Sequence, residues 1–353
     1  MSKFFSSKYK NLTPYTPGEQ PKDFKYIKLN TNESPYPPSK RAIKGASKAS
    51  KLLNLYPDPT CSALNNKMAE ILGVSPDEIL MTNGSDEILN FAFMAFCDEK
   101  TPAVFPDITY GFYSVFAELN NIPYEEIPLK EDFSIDTEAF MGQNKTIFIA
   151  NPNAPTGICL PLSEIEKILK SNPNNIVVID EAYIDFGGES AVSLVPKYDN
   201  LLVTQTFSKS RSMAGARLGF GVAQKELIAD LNTIKYSTNP YNINKMTMAA
   251  GIGILEDNDQ VIKNCKEIIK TREFTKDALI DLGFTLTPSS ANFIFAKHKD
   301  MGGEEIYKKL KEAGILVRHF SAEKIKDYNR ITIGTKKQMK ALISALKTIL
   351  EEN

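Results

Sequence analysis

From about residue 79 to residue 223, short runs that are apolar at nearly every position alternate with longer stretches that are apolar on one side only. The runs ILM (79–81), AVF (103–105), TIFIA (146–150), IVVI (176–179), LLV (201–203) and LGFGVA (218–223) are too short for helices and read as buried strands. IPYEEIPL (122–129) is a more polar strand of the same series. The stretches between them have helical spacing, as in SEIEKILKS (163–171), and one begins at Asn83-Gly84-Ser85 with Asp86 and Glu87 in its first turn. Strands recurring between helices predict an open α/β sheet with helices on both faces.

The flanks have a different texture. Residues 1–23 are polar and turn-rich and read as an extended arm that must dock on something to be ordered. A short strand, Tyr26 to Leu29, then runs into Asn30, Asn32 and Glu33, followed by Pro35, Pro37 and Pro38, an irregular rigid path able to line a cleft or to link domains. Helices are expected over Ser39 to Leu53, stopped by Pro57 and Pro59, and over Ser62 to Leu72, closed by Gly73. Beyond Lys225 come two helical stretches, a long helix over 261–283, and further strand and helix alternation to the end. The division expected is an arm with part of the smaller domain (1–35), a large domain (36–248) and a small α+β domain (249–353).

Composition narrows the functional classes. The 353 residues carry 42 Lys and Arg against 43 Asp and Glu, a net charge of -1, with no long block of one sign. Nucleic acid and anionic membrane are therefore poor partners. Cys61, Cys97, Cys159 and Cys265 are scattered, and with two histidines, His298 and His319, there is little material for a metal site. No run resembles a signal peptide or a membrane span, so a reduced, cytoplasmic protein is expected.

Two stretches concentrate chemistry. In TQTFSKSRSMAGARLGFG (204–221), Thr206, Ser208, Lys209 and Arg217 lie between two apolar runs, and such a loop can hold a phosphate while keeping an amine beside it. A solvated basic turn is the plainer use of the same residues. In NNIVVIDEAYIDF (174–186) a strand ends abruptly at Asp180, Glu181 and Tyr183, and the carboxyl ends of parallel strands are where ligand-facing residues collect. A lysine amine, an acid for a positive ring nitrogen and a phosphate cradle are together what pyridoxal phosphate requires.

These stretches, with NLTPYTPG, LNTNESPYPP, YPD, TNGSDE, NPNAPTG, PYNIN and RITIGT in the same order, resemble the class I/II aminotransferases of fold type I over nearly the whole chain. The resemblance implies a large domain with a mainly parallel seven-stranded sheet, a smaller α+β domain and a homodimer with composite active sites. It implies that Lys209 binds pyridoxal 5'-phosphate covalently, that Asp180 pairs with the ring nitrogen, and that Tyr183 and Asn153 bond the ring oxygen. Tyr110 would stack on the ring. Gly84, Ser85, Asp86, Thr206, Ser208 and Arg217 would surround the phosphate, with Tyr56 arriving from the other subunit. Asn32 and Arg330 would hold the substrate carboxylate, with Arg318 and Tyr15 added for a substrate phosphate, Tyr15 from either subunit.

Within the family the chain looks most like the branch that moves an amino group between glutamate and imidazole acetol phosphate. An aromatic or broad-range aminotransferase, a decarboxylase of phosphorylated threonine, and a cofactor-bound protein without turnover are the other readings. Ser210 and Arg211 depart from the family's more usual alanine and tyrosine after the lysine.

Overall fold

The computed structural model describes residues 2–10 and 12–351; Met1, Asn11 of the NLTPYTPG stretch, Glu352 and Asn353 lie outside the described residues. The chain begins with the arm and β1 (Ile27–Lys28), then α1 (Lys40–Ala49), whose first turn is capped by Ser39, and α2 (Ser62–Leu72), whose end is closed by Gly73 at φ 70°. The expected boundaries of α2 are met at both ends.

The alternating region follows as β2 (Ile79–Thr82), α3 (Ser85–Phe96), β3 (Ala103–Pro106), α4 (Phe112–Asn120), β4 (Tyr124–Ile127), β5 (Thr146–Ala150), α5 (Leu162–Ser171), β6 (Val177–Asp180), β7 (Leu201–Thr206) and β8 (Gly219–Val222). These strands form one seven-stranded sheet in the order β2-β8-β7-β6-β5-β3-β4. All neighbours are parallel except β8, which is antiparallel to both β7 and β2. The physical reason is the connection: β7 and β8 are joined by the Lys209 loop without a crossover helix, so β8 must return in the opposite direction.

Every residue of β2, β3, β5, β6, β7 and β8 is buried, which is why these strands read as continuous apolar runs. Alternate side chains serve two cores. On one face Phe148, Val178 and Leu202 pack with α3 and α4, where Phe93 stacks on Phe148 at 4.1 Å. On the other, Ile147, Ile149, Val177 and Ile179 join the larger core that reaches α2, α5 and the C-terminal helices.

The remainder runs α6 (Lys225–Thr238), α7 (Lys245–Glu256), α8 (Asn258–Asp281), β9 (Phe284–Leu286), β10 (Phe293–His298), α9 (Gly303–Glu312), β11 (Ile315–Leu316), β12 (Arg318–His319), β13 (Asn329–Thr332) and α10 (Lys336–Glu351). A second, antiparallel sheet has the order β12-β13-β10-β9, and β1 pairs in parallel with β11. The start of the chain is thereby tied to its end. The division expected at 248/249 falls inside α7, which packs closely on α1: a Cβ on Gly253 would stand 2.7 Å from the backbone nitrogen of Ala42.

Candidate active site

Two joined chambers open where β6 and β7 end. The first is bordered by Asp180, Tyr183, Tyr110 and Lys209, and by Ser85, Thr206, Ser208 and Arg217. The second is bordered by Tyr15, Asn32, Arg318, Phe320 and Arg330. Lys209, Tyr183, Tyr110 and Thr31 border both, so the lysine amine stands at the junction.

Asp180 is the last residue of β6, and the pairing of β6 with β7 puts it opposite Thr204. Its carboxylate accepts hydrogen bonds from the Tyr113 hydroxyl (3.0 Å) and the Thr204 hydroxyl (3.1 Å). Burial pushes its pKa from the ordinary 3.8 up to about 6, against the lowering effect of those two donors. A buried acid held this way faces the chamber as a partner for a cation. Glu181 beside it turns the other way and accepts from the Ser190 hydroxyl, the Ala191 amide and the Gln205 side chain.

Lys209 donates to the Thr31 carbonyl at 3.2 Å and lies 5.7 Å from the centre of the Tyr183 ring. The Tyr183 hydroxyl accepts from the Asn32 amide at 3.0 Å, and Asn32 is itself fixed by Thr332 on β13. Thus Tyr183 links the large sheet to the small one.

α3 begins at Ser85 with Gly84 as its N-cap, and Ser85 and Asp86 border the first chamber, so a helix start, a natural place for an anion, lies at its wall. β8 approaches that helix start so closely that a Cβ on Gly219 would lie 2.5 Å from the Gly84 carbonyl carbon, so only glycine fits there. Arg217 pairs with Asp86 at 2.8 Å, and Asp86 also accepts from the Tyr110 hydroxyl at 2.6 Å. Asp86 therefore holds both the arginine of the cradle and the ring expected to act as a platform.

At the second chamber, Arg318 and Arg330 are directly opposed across β12 and β13. Like charges in that register repel, and among the described residues neither has a carboxylate partner: Arg330 donates to the Asn30 carbonyl and Arg318 to the carbonyls of Thr16 and Pro17. Burial above all, with the charge of Arg318 added, lowers the pKa of Arg330 from its ordinary value. The Nε of Arg330 has no hydrogen-bond partner. Two guanidinium groups that border one chamber without a carboxylate partner among the described residues are suited to a doubly charged anion.

Three further expected residues remain to be placed, and only the first departs from its expectation. Asn153 does not border either chamber. Its amide nitrogen donates to the Ile108 carbonyl and the Thr156 hydroxyl while its oxygen accepts from Thr109, and Ala154 is the residue of that loop that faces the chambers. Tyr56 stands on the surface, 78% exposed and stacked on Tyr241 at 4.6 Å, away from the chambers of its own chain. Tyr15 borders the second chamber of its own chain, stacked on Phe112 at 4.2 Å. Sequence reasoning passed over Thr204 and Tyr113 as partners of Asp180; the only signal for Tyr113 was its place one helical turn after Tyr110. No group of metal-binding side chains occurs among the described residues.

Residues 25–346 match the family described as aminotransferase class I and II, and the chain belongs to that family. The histidinol-phosphate aminotransferase of Brachyspira hyodysenteriae is 50% identical over 353 residues, covering 99% of this chain and 100% of that protein. That of Clostridium botulinum (strain Kyoto / Type A2) is 47% identical over 100% of both. Among solved structures, the histidinol-phosphate aminotransferase of Clostridium acetobutylicum superposes with a TM-score of 0.85 at 25% identity, covering 93% of this chain and 100% of that one.

Proposed function

We propose that the protein is a pyridoxal-phosphate-dependent aminotransferase that exchanges an amino group between L-glutamate/2-oxoglutarate and imidazole acetol phosphate/L-histidinol phosphate. The observation that carries this reading is the position of Lys209, whose amine borders the chamber with the buried acid and the anion cradle on one side and the chamber with the paired arginines on the other. The first chamber fits the cofactor: Asp180 suits a protonated pyridine nitrogen, and the start of α3 with Thr206, Ser208 and Arg217 suits its phosphate. When bound, the cofactor supplies a ring that accepts electrons as the substrate carbon loses its proton.

The chain's own residues do the rest. Lys209 would hold the cofactor covalently, and its tethered amine, at the junction of the two chambers, would serve as the base that moves the proton at the substrate carbon. Asp180 would pair with the protonated ring nitrogen, and Tyr183, oriented by Asn32, would hold the ring oxygen. Arg330 receives the glutamate carboxylate in one half-reaction, and Arg330 with Arg318 receives the substrate phosphate in the other, with Tyr15 beside them. Residues 36–248 form the cofactor-binding unit in this reading.

The test is kcat/KM for L-histidinol phosphate against phenylalanine and tyrosine, each with 2-oxoglutarate. A preference of about 10²-fold or more, worth about 2.7 kcal/mol, is expected; equal values would make this a broad-range enzyme, and carbon dioxide release without consumption of 2-oxoglutarate a decarboxylase. In the same assay Arg318→Ala should raise KM for histidinol phosphate by about 10-fold or more while leaving that for phenylalanine nearly unchanged, since only the phosphate needs the second guanidinium. Equal effects on both substrates would make Arg318 a structural residue.

The reading includes a cytoplasmic homodimer. Leu52, Leu53, Leu55 and Tyr56 form an exposed apolar strip beside Tyr241, which favours a second copy as its cover and brings Tyr56 to the partner's cofactor. Light scattering should give twice the chain mass; a fully active monomer would remove the composite site. All four cysteines are free, in keeping with a reducing compartment, and no helix among the described residues is long and apolar enough to cross a membrane.

A further inference from the structure

The two residues that depart from the family pattern, Ser210 and Arg211, converge on one carboxylate. The Ser210 hydroxyl and the Arg211 guanidinium, the latter at 3.3 Å, both donate to the same oxygen of Asp185. Asp185 lies two residues beyond Tyr183, in the short turn Ile184–Phe186, and that turn is anchored from α8 by Arg272, which donates to the Phe186 carbonyl at 2.9 Å. Asp180, Tyr183 and Asp185 thus belong to one segment, and Lys209, Ser210 and Arg211 to another. The carboxylate bridges the two.

We propose that Asp185, engaged by Ser210 and Arg211, is a positioning residue that sets where the Lys209 amine stands relative to Asp180 and Tyr183. This rests on the reading of Lys209 as the cofactor-binding lysine. The Arg211 side chain is only 6% exposed and its guanidinium lies 5.1 Å from the centre of the Phe207 ring. A cation so buried is bound to its acid, because separating the two leaves an uncompensated charge in a low-dielectric setting.

The loop is pinned from its other side as well. Ser212 donates to the Ser34 hydroxyl at 2.8 Å and holds a left-handed backbone at φ 57°, a conformation that a serine keeps only when its surroundings impose it. Side chains 210, 211 and 212 are therefore each tied to a fixed partner, whereas Lys209 reaches the junction of the chambers with a backbone carbonyl as its hydrogen-bond acceptor. A free amine on a rigid base is what repeated attachment to and release from a cofactor calls for.

The clamp predicts a readout that a merely structural ion pair does not move: the pH at which the visible absorbance of the lysine-bound cofactor titrates. Ser210→Ala, which removes one hydroxyl, should shift that midpoint by about half a pH unit or more, and Asp185→Ala further, with the double variant no worse than Asp185→Ala because the serine acts through the aspartate. Both variants should lower kcat more than they raise KM. Asp257→Ala, which breaks the remote, partly exposed pair with Arg41 at 3.1 Å, should leave the midpoint at the wild-type value. Should Asp185→Ala not fold, Ser210→Ala decides alone.

A wild-type midpoint in the folded Ser210 and Asp185 variants, with the cofactor still reducible onto Lys209 by borohydride, would overturn the inference and leave the functional reading intact. A wild-type protein in which borohydride fixes the cofactor to another lysine would overturn both.

Discussion

Lys209→Ala should abolish the borohydride-stable linkage between chain and cofactor and reduce kcat by about 10⁴-fold or more, the upper range for loss of a positioned acid–base group. The size of the effect follows from the lysine's place. Its amine borders both chambers, so one substitution removes the covalent attachment on one side and the proton carrier on the other. Glu33 also borders the first chamber, but it is not free to replace the lysine, because its carboxylate is engaged by Lys28 at 2.7 Å and by the Thr31 hydroxyl at 2.9 Å. The variant should still bind the cofactor non-covalently, since Asp180 and the cradle at α3 are untouched, and it should still fold, because the lysine contributes a single hydrogen bond to the Thr31 carbonyl. Mass spectrometry after reduction and single-turnover kinetics would measure the two losses separately. A reducible linkage that survives in the alanine variant would place the cofactor on another lysine.

What could be read from the sequence was whatever lies contiguous at a strand end. Asp180 ends β6 with Tyr183 shortly after it, and Thr206 ends β7 with Ser208 and Lys209 after it, so an apolar run with polar residues at its end was enough to mark them. What stayed hidden depends on which strands are neighbours and in what register. Thr204 supports Asp180 only because β6 and β7 pair in that alignment, and Asp185 meets Ser210 and Arg211 only because the loops after those strands emerge side by side.

Side-chain direction in irregular segments was equally out of reach. The resemblance implies that Asn153 bonds the ring oxygen, and in the structure its amide is engaged by Ile108, Thr109 and Thr156 while Ala154 borders the chambers. Only the family resemblance pairs Arg318 with Arg330 ahead of the structure. Each is a plain strand arginine in the sequence, and only the register of β12 on β13 makes them one doubly charged site.

The sharpest consequence of the buried acid is a pair of effects with opposite sign in one variant. Asp180→Asn should make the cofactor-free protein more stable above about pH 6 and at the same time weaken its hold on the cofactor. The folded-state pKa of Asp180, about 6, lies above the 3.8 of an exposed aspartate. Between those values the folded chain keeps a proton that the unfolded chain has lost, so stability falls as pH rises through the window, and the full penalty stands above it. At 1.36 kcal/mol per pH unit this is about 3 kcal/mol, an upper bound that asparagine would recover. The amide oxygen can keep one of the two hydroxyl donors of Asp180, and the other hydroxyl, of Tyr113 or Thr204, can rotate to accept from the amide nitrogen. At pH 4 the two proteins should melt nearly together; at pH 7.5 the cofactor-free variant should melt several degrees higher. Its slope should be reduced and not abolished, since burial also raises the pKa of Glu181, to about 7. Adding cofactor at pH 7.5 should reverse the order, because the wild-type carboxylate then gains a cationic partner that the amide cannot match. A cofactor-free variant no more stable than wild type at pH 7.5 would mean that the buried carboxyl is not strained by its charge, and equal cofactor affinities would remove Asp180 as the partner of the ring nitrogen.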